Sequence, residues 1–116
     1  MEARAVSRFV QQSPRKMRLV IDLIRGRSVG EAYAILQYSK KRAATAVDKT
    51  LRSAVANSVQ KAETAQEMLD VDELFVKEAY VDEGPRLKRW RAAAMGRAAP
   101  IHKPMSHITI VVDRKE

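Results

Sequence analysis

The chain has 116 residues, with 22 Lys+Arg against 14 Asp+Glu, a formal net charge of +8 and a pI near 10.1. That length suits one domain with one modest core, and the charge implies a polyanionic partner, because unneutralised cations repel one another. Cysteine is absent, which excludes disulfides, thiolate metal sites and cysteine nucleophiles and fits a reducing cytosol. The N-terminus lacks a secretory apolar stretch, and no apolar run approaches ~20 residues, so the expectation is a soluble, cytoplasmic protein with no membrane contact.

Residues 2–11 can form a short strand, with Ala3, Ala5, Ser7 and Phe9 on one face and Arg4, Val6, Arg8 and Val10 on the other. Ser13-Pro14 is a helix start, Ser as N-cap and Pro at the first helical position. Met17, Val20, Ile21 and Ile24 follow helical spacing, and Gly26 closes a first helix over about 14–25. Ser28-Val29-Gly30-Glu31 has capping-box spacing, and Ala32, Ile35 and Leu36 carry a second helix to about Tyr38. Ser39 is positioned to cap a third and longest helix. Its stripe is Ala43, Val47, Leu51, Ala54 and Ser58, widened by Ala44, Val55, Val59 and Ala62. Lys40, Lys41 and Arg42 then fall in its first turn, where cations oppose the helix dipole unless phosphates face them.

Residues 74–81 and 108–112 are rich in β-branched and aromatic side chains and read as strands. With no helix between them to make a parallel crossover, they should pair antiparallel. Together with the first strand they give an α+β fold, three helices packed on a small three-stranded antiparallel sheet.

Between those two strands runs a segment of some 20 residues, Gly84 to Met105, far more than the 2–5 that most hairpin loops need. Extended, each limb would reach roughly 30 Å from the body. Charge along the chain is uneven: residues 1–61 carry 13 bases and 4 acids, and residues 62–84 carry 1 base and 8 acids. Residues 85–112 carry 6 bases and no acid at all. Arg86, Lys88, Arg89, Arg91, Arg97 and Lys103 can pair with phosphates, and Trp90 offers a flat face for a base or an arginine. The small residues Ala92, Ala93, Ala94 and Gly96 permit close backbone approach. Such an arm cannot bury itself on its own body, so another molecule should supply its walls.

Ser13 to Val20 (SPRKMRLV), Ile24-Arg25-Gly26, Tyr80 to Pro85 (YVDEGP), Lys88-Arg89, Gly96-Arg97-Ala98 and Ser106 to Ile110 (SHITI) together resemble the bacterial ribosomal protein L twenty-two family. The matches are collinear and span nearly the whole chain. The resemblance implies a compact body, 1–84 with 105–116, at the surface of the large subunit. It further implies an extended hairpin, 85–104, running inward through 23S-type rRNA of several domains to line the peptide exit tunnel, with a role in subunit assembly. Implied partners are that rRNA, neighbouring large-subunit proteins and the nascent peptide near the tip, with no homo-oligomer. By position the tip comprises Arg91, Ala92, Ala93, Ala94, Met95, Gly96 and Arg97. Implied rRNA contacts are Ser13, Arg15, Lys16 and Arg18 on the first helix, Lys40, Lys41 and Arg42 before the third, and His107 beside the last strand. In the arm they are Arg86, Lys88, Arg89, Trp90, Arg91, Arg97, His102 and Lys103. The chain departs from the family pattern in two places. Ala92-Ala93-Ala94 stands where Pro-Arg-Ala is expected, and Lys103-Pro104-Met105 where Lys-Arg-Thr is expected.

Catalysis finds little support. His102 and His107 have no nearby carboxylate in sequence, Asp70, Asp72 and Glu73 read as a polar turn before a strand, and no phosphate loop or nucleophile elbow occurs. No enzyme, cofactor or metal is expected. The rival is a basic helix-turn-helix-like DNA-binding module built on the first two helices. Its second helix has no basic residue on its exposed face and no Arg, Lys, Asn or Gln at its start to read DNA edges, and the arm is left unexplained.

Overall fold

The computed structural model describes residues 2–92 and 94–114. In chain order the elements are β1 (Ala3–Val10), α1 (Pro14–Ile24), α2 (Val29–Tyr38), α3 (Ala43–Thr64), β2 (Leu74–Glu83), β3 (Leu87–Ala92), β4 (Ala98–Lys103) and β5 (Ser106–Arg114). Strands β1, β5 and β2 form an antiparallel sheet in that spatial order, and β3 with β4 forms a separate antiparallel ribbon. The α+β arrangement read from the sequence is the one found, with the strand pairing expected for β2 and β5.

β5 is central because its composition suits no other place. Ile108, Ile110 and Val112 are buried towards the helices, and Thr109 and Val111 are buried on the opposite face. A strand covered on both faces needs no polar alternation. The helices fill the inner face: Met17, Val20, Ile21 and Ile24 of α1 and Leu36 of α2 join Val47, Leu51 and Ala54 of α3 in one core with Val76 and Val81 of β2. The small-residue stripe of α3 lets it lie against β1 and β5, where Ser7 Oγ and Thr50 Oγ1 stand 2.6 Å apart.

Both edges of this sheet are closed by helix groups rather than left open for another chain. Along β1, Asn57 Nδ2 donates to the Arg4 carbonyl at 2.9 Å and Lys61 Nζ to that of Glu2 at 2.6 Å. Along β2, Arg18 donates through Nε and Nη2 to the Val81 carbonyl, at 3.3 and 3.0 Å. Arg25, two turns further on, donates in the same way to Ala79 at 3.0 and 2.7 Å. The Gly26 N–H and the Arg27 carbonyl bond the backbone of Val76 from the turn after α1, where Gly26 adopts φ +78°.

Several local expectations need correction. The inward face of β1 does not run to Phe9: a bulge between Ser7 and Val10 puts Phe9 at φ 58° and leaves it 58% exposed. Its N–H donates to His107 Nδ1 at 3.1 Å, and its ring meets the His107 ring edge-on at 5.0 Å. A second bulge at Lys77 shifts β2 by one residue, so that Val76 and Ala79 both point inward. Ser39 does not cap α3. It terminates α2, its Oγ accepts from the Lys41 N–H at 3.3 Å, and α3 starts only at Ala43 behind an Arg42 N-cap. Lys40 and Lys41 therefore lie in the connection before the helix rather than in its first turn. The capping box of α2 is half made: Ser28 Oγ accepts from the Glu31 N–H, while the Glu31 carboxylate faces Arg27 at 3.7 Å.

The ribbon stretches the molecule to 67 × 28 × 16 Å, with a radius of gyration of 17.6 Å. A compact chain of this length would have about 13 Å.

Candidate nucleic-acid interface

In the ribbon, Leu87 pairs with Lys103, Lys88 with His102, Arg89 with Ile101, Trp90 with Pro100, Arg91 with Ala99 and Ala92 with Ala98. Residues directly opposite share a face, so the pairing sorts the arm into two surfaces. One presents Lys88, Trp90, His102 and Pro100, all exposed; the other presents Arg89 and Arg91 beside the half-buried Leu87, Ala99 and Ile101. Trp90 is 68% exposed and so does not pack on the body. The chain reverses between Ala92 and Ala98, within one residue of the expected tip. There Met95 adopts φ 62° and Gly96 φ 74°, and Met95 is 96% exposed. A left-handed conformation at Met95 is uncommon for a residue carrying a Cβ, and it turns the side chain outward at the extremity. Ala93 lies outside the described residues. Arg97 follows the turn and is exposed.

The root of the arm is fixed to the body. The Gly84 N–H donates to the Met105 carbonyl at 2.8 Å, and the buried Ser106 donates through Oγ to the Gln12 carbonyl at 2.6 Å. A Cβ on Gly84 would come within 3.2 Å of Met105 Cβ and its carbonyl oxygen, so glycine permits the close crossing of the two limbs.

At this root the fold unites three basic segments that are far apart in sequence. Ser13 and Lys16 of α1, Lys41 and Arg42 before α3, and His102 and Lys103 of β4 line one groove of about 670 Å³. Arg15 and Lys40 are exposed but do not line it, and Arg86 is exposed just before β3. Sequence reasoning missed the uncharged part of the lining, Gln11, Gln12, Leu19, Leu87, Pro104 and Met105. No local signal marks these residues, because only the folded arm brings 87 and 105 beside 11 and 19.

Three candidates have hydrogen-bond partners inside the protein, one of them Arg89, whose Nη1 donates to the neighbouring Lys88 carbonyl at 2.9 Å. Arg18 holds the β2 edge through Nε and Nη2, leaving Nη1 without a bond among the described residues. His107 accepts the Phe9 N–H at Nδ1, so its ring proton sits on Nε2 when it is neutral. The other candidate cations stand differently. Among the described residues, the ion pairs use Arg25, Arg27, Arg52 and Lys77, none of them an arm or groove residue. Lys77, whose hydrogen bond to Glu2 raises its pKa, is typical of the neutralised group. The surface of the arm and its root is thus an uncompensated field of cations, suited to a polyanion.

The described residues include no metal-holding cluster of His, Asp and Glu, and no helix long and apolar enough to cross a membrane. The exposed side of α2 offers Glu31, Ala34, Gln37 and Tyr38 and no cation, which weakens the helix-turn-helix alternative.

The model of the family Ribosomal protein L22p/L17e matches residues 5–113. A Syntrophus aciditrophicus protein named large ribosomal subunit protein uL22 is 53% identical over 115 residues, 99% of this chain and 100% of its own. A protein of the same name from Halothermothrix orenii is 54% identical over 116 residues, 100% of this chain and 98% of its own. The match runs through the helices that line the groove, the arm and the strand that ends it, and the chain belongs to the ribosomal protein L22p/L17e family.

Proposed function

We propose that this protein is a non-catalytic structural constituent of the large ribosomal subunit in the bacterial cytoplasm. It binds 23S-type rRNA and supports its assembly. The chain acts as one domain, with the body (1–84 and 105–116) at the subunit surface and the arm (85–104) threaded through RNA. The tip, Arg91 to Arg97, lines the peptide exit tunnel and meets the nascent chain, and the body abuts neighbouring ribosomal proteins. One observation carries this reading: the long ribbon bears an exposed Trp90 and exposed cations that, among the described residues, have no carboxylate partner. Such a surface is stable in water but has no use there. Phosphates neutralise the cations, and bases stack on the indole.

The contacts proposed for RNA are Arg86, Lys88, Arg89, Trp90, Arg91 and Arg97 along the arm, then Ser13, Lys16, Lys41, Arg42, His102 and Lys103 at its root. Arg15 and Lys40 flank that root. Arg18 through Nη1 and His107 through Nε2 contribute in addition to their internal bonds. Co-sedimentation with large subunits across a salt series tests the proposal. With one phosphate each, the six arm cations alone contribute a log–log slope of about −4 to −5. Equal or tighter binding to arbitrary duplex DNA would favour the DNA-binding alternative instead.

A further inference from the structure

The groove at the root of the arm carries more than phosphate binding requires. An anion patch needs cations alone, yet Leu19, Leu87, Pro104 and Met105 share this lining with Lys16, Lys41, Arg42 and Lys103. Leu19 lies one turn beyond Lys16 on the same side of α1 and is 55% exposed, an apolar side chain placed in the open beside a cation. Leu87 and Lys103 repeat that pairing across the ribbon, directly opposite one another. The carboxamides of Gln11 and Gln12 add donor and acceptor pairs that bond nothing within the described residues. The cavity is also held open: the Ser106–Gln12 and Gly84–Met105 bonds fix its two sides before any ligand arrives.

A space of about 670 Å³ falls within the range of small-molecule pockets. Paired bases in a stem hide their faces in the stack and cannot enter it. A single unpaired nucleotide can be splayed out and held by its face, edge and phosphates together. We propose that this groove seats one unpaired RNA nucleotide turned out of its helix. Its base lies against Leu19, Leu87 and Met105, its edge meets Gln12 or His102, and its flanking phosphates are held by Lys16, Lys41, Arg42 and Lys103. This rests on the RNA-binding reading above and adds to it a chemical class of ligand at a defined place.

The test is an amide NMR titration of the full chain with uridine 5′-monophosphate and, separately, with inorganic phosphate. The nucleotide is expected to shift the amides of Gln12, Lys16, Leu19, Lys41 and Met105, and to bind at least about fivefold tighter than phosphate. Leu19→Asp, at an exposed position where the spectrum itself reports folding, should abolish that preference, and Leu19→Met should retain it. Equal affinity for the two probes, or shifts confined to the arm or absent from the groove, would overturn the proposal. Co-sedimentation of the unmodified chain with large subunits separates the two readings. A chain that sediments but shows no nucleotide preference defeats only the groove assignment, whereas a chain that does not sediment defeats the ribosomal reading.

Discussion

The body and the arm solve the problem of exposed polar and charged groups in opposite ways. In the body, carbonyls along both sheet edges are capped, by Asn57 and Lys61 on β1 and by Arg18 and Arg25 on β2. Cations such as Arg25, Arg52 and Lys77 have carboxylates beside them. In the arm, six cations and a tryptophan stand in water with no carboxylate among residues 85–112. The body thus contains the interactions that stabilise it, whereas the arm presents groups whose partners must come from outside. Stability and binding should therefore be separable by position.

The largest expected effect lies in the body. Ile110→Ala empties the centre of a strand that is buried on both faces and should cost about 2–5 kcal/mol in urea unfolding. A loss below about 1 kcal/mol would mean that β5 is not the central strand. In the arm the signature reverses. Trp90→Ala should change stability by less than about 0.5 kcal/mol, yet weaken subunit binding by about 1–3 kcal/mol. Unfolding and co-sedimentation of the same variant check both halves.

The comparison sharpens on α1, where the two behaviours sit two residues apart. Arg18→Ala removes the pair of charge-assisted hydrogen bonds donated to the Val81 carbonyl and should destabilise by about 1–2 kcal/mol. Lys16→Ala should leave thermal unfolding unchanged and lower the salt slope of binding by roughly one. If the two variants behaved alike, the division between clasping and presenting cations would fail. The smallest effect is expected at the arm's root. Gly84→Ala crowds the Met105 carbonyl at 3.2 Å and should cost about 1 kcal/mol, read as a small fall in melting temperature.

Much of the fold was legible in the sequence because its signals are local. Ser13-Pro14 and Gly26 mark the ends of α1, the small-residue stripe marks α3, and the run ITIVV marks a strand wet on neither face. The arm was legible from length and charge together. The failures share a different cause. The Phe9 bulge depends on His107, 98 residues away, and the fate of Arg18 on Val81, 63 residues away. Ser39 is a good cap by type, but it stands one residue past the end of α2 and serves that end instead. The groove unites residues 11–19, 41–43, 87 and 102–105, which no window on the chain brings together. The resemblance named several of its cations but not its apolar walls.

The division between body and arm implies that the body folds without the arm and that the proposed RNA contacts depend on it. Replacing residues 86–103 by a short turn and following both melting and subunit association tests it most directly. The shortened chain should melt cooperatively, keep its helical circular dichroism and retain stability within about 1 kcal/mol of the parent. Association should be weakened, with a salt slope shallower than the parent's by about 4 to 5. Loss of cooperative melting, or association as strong and as salt-dependent as the parent's, would contradict it.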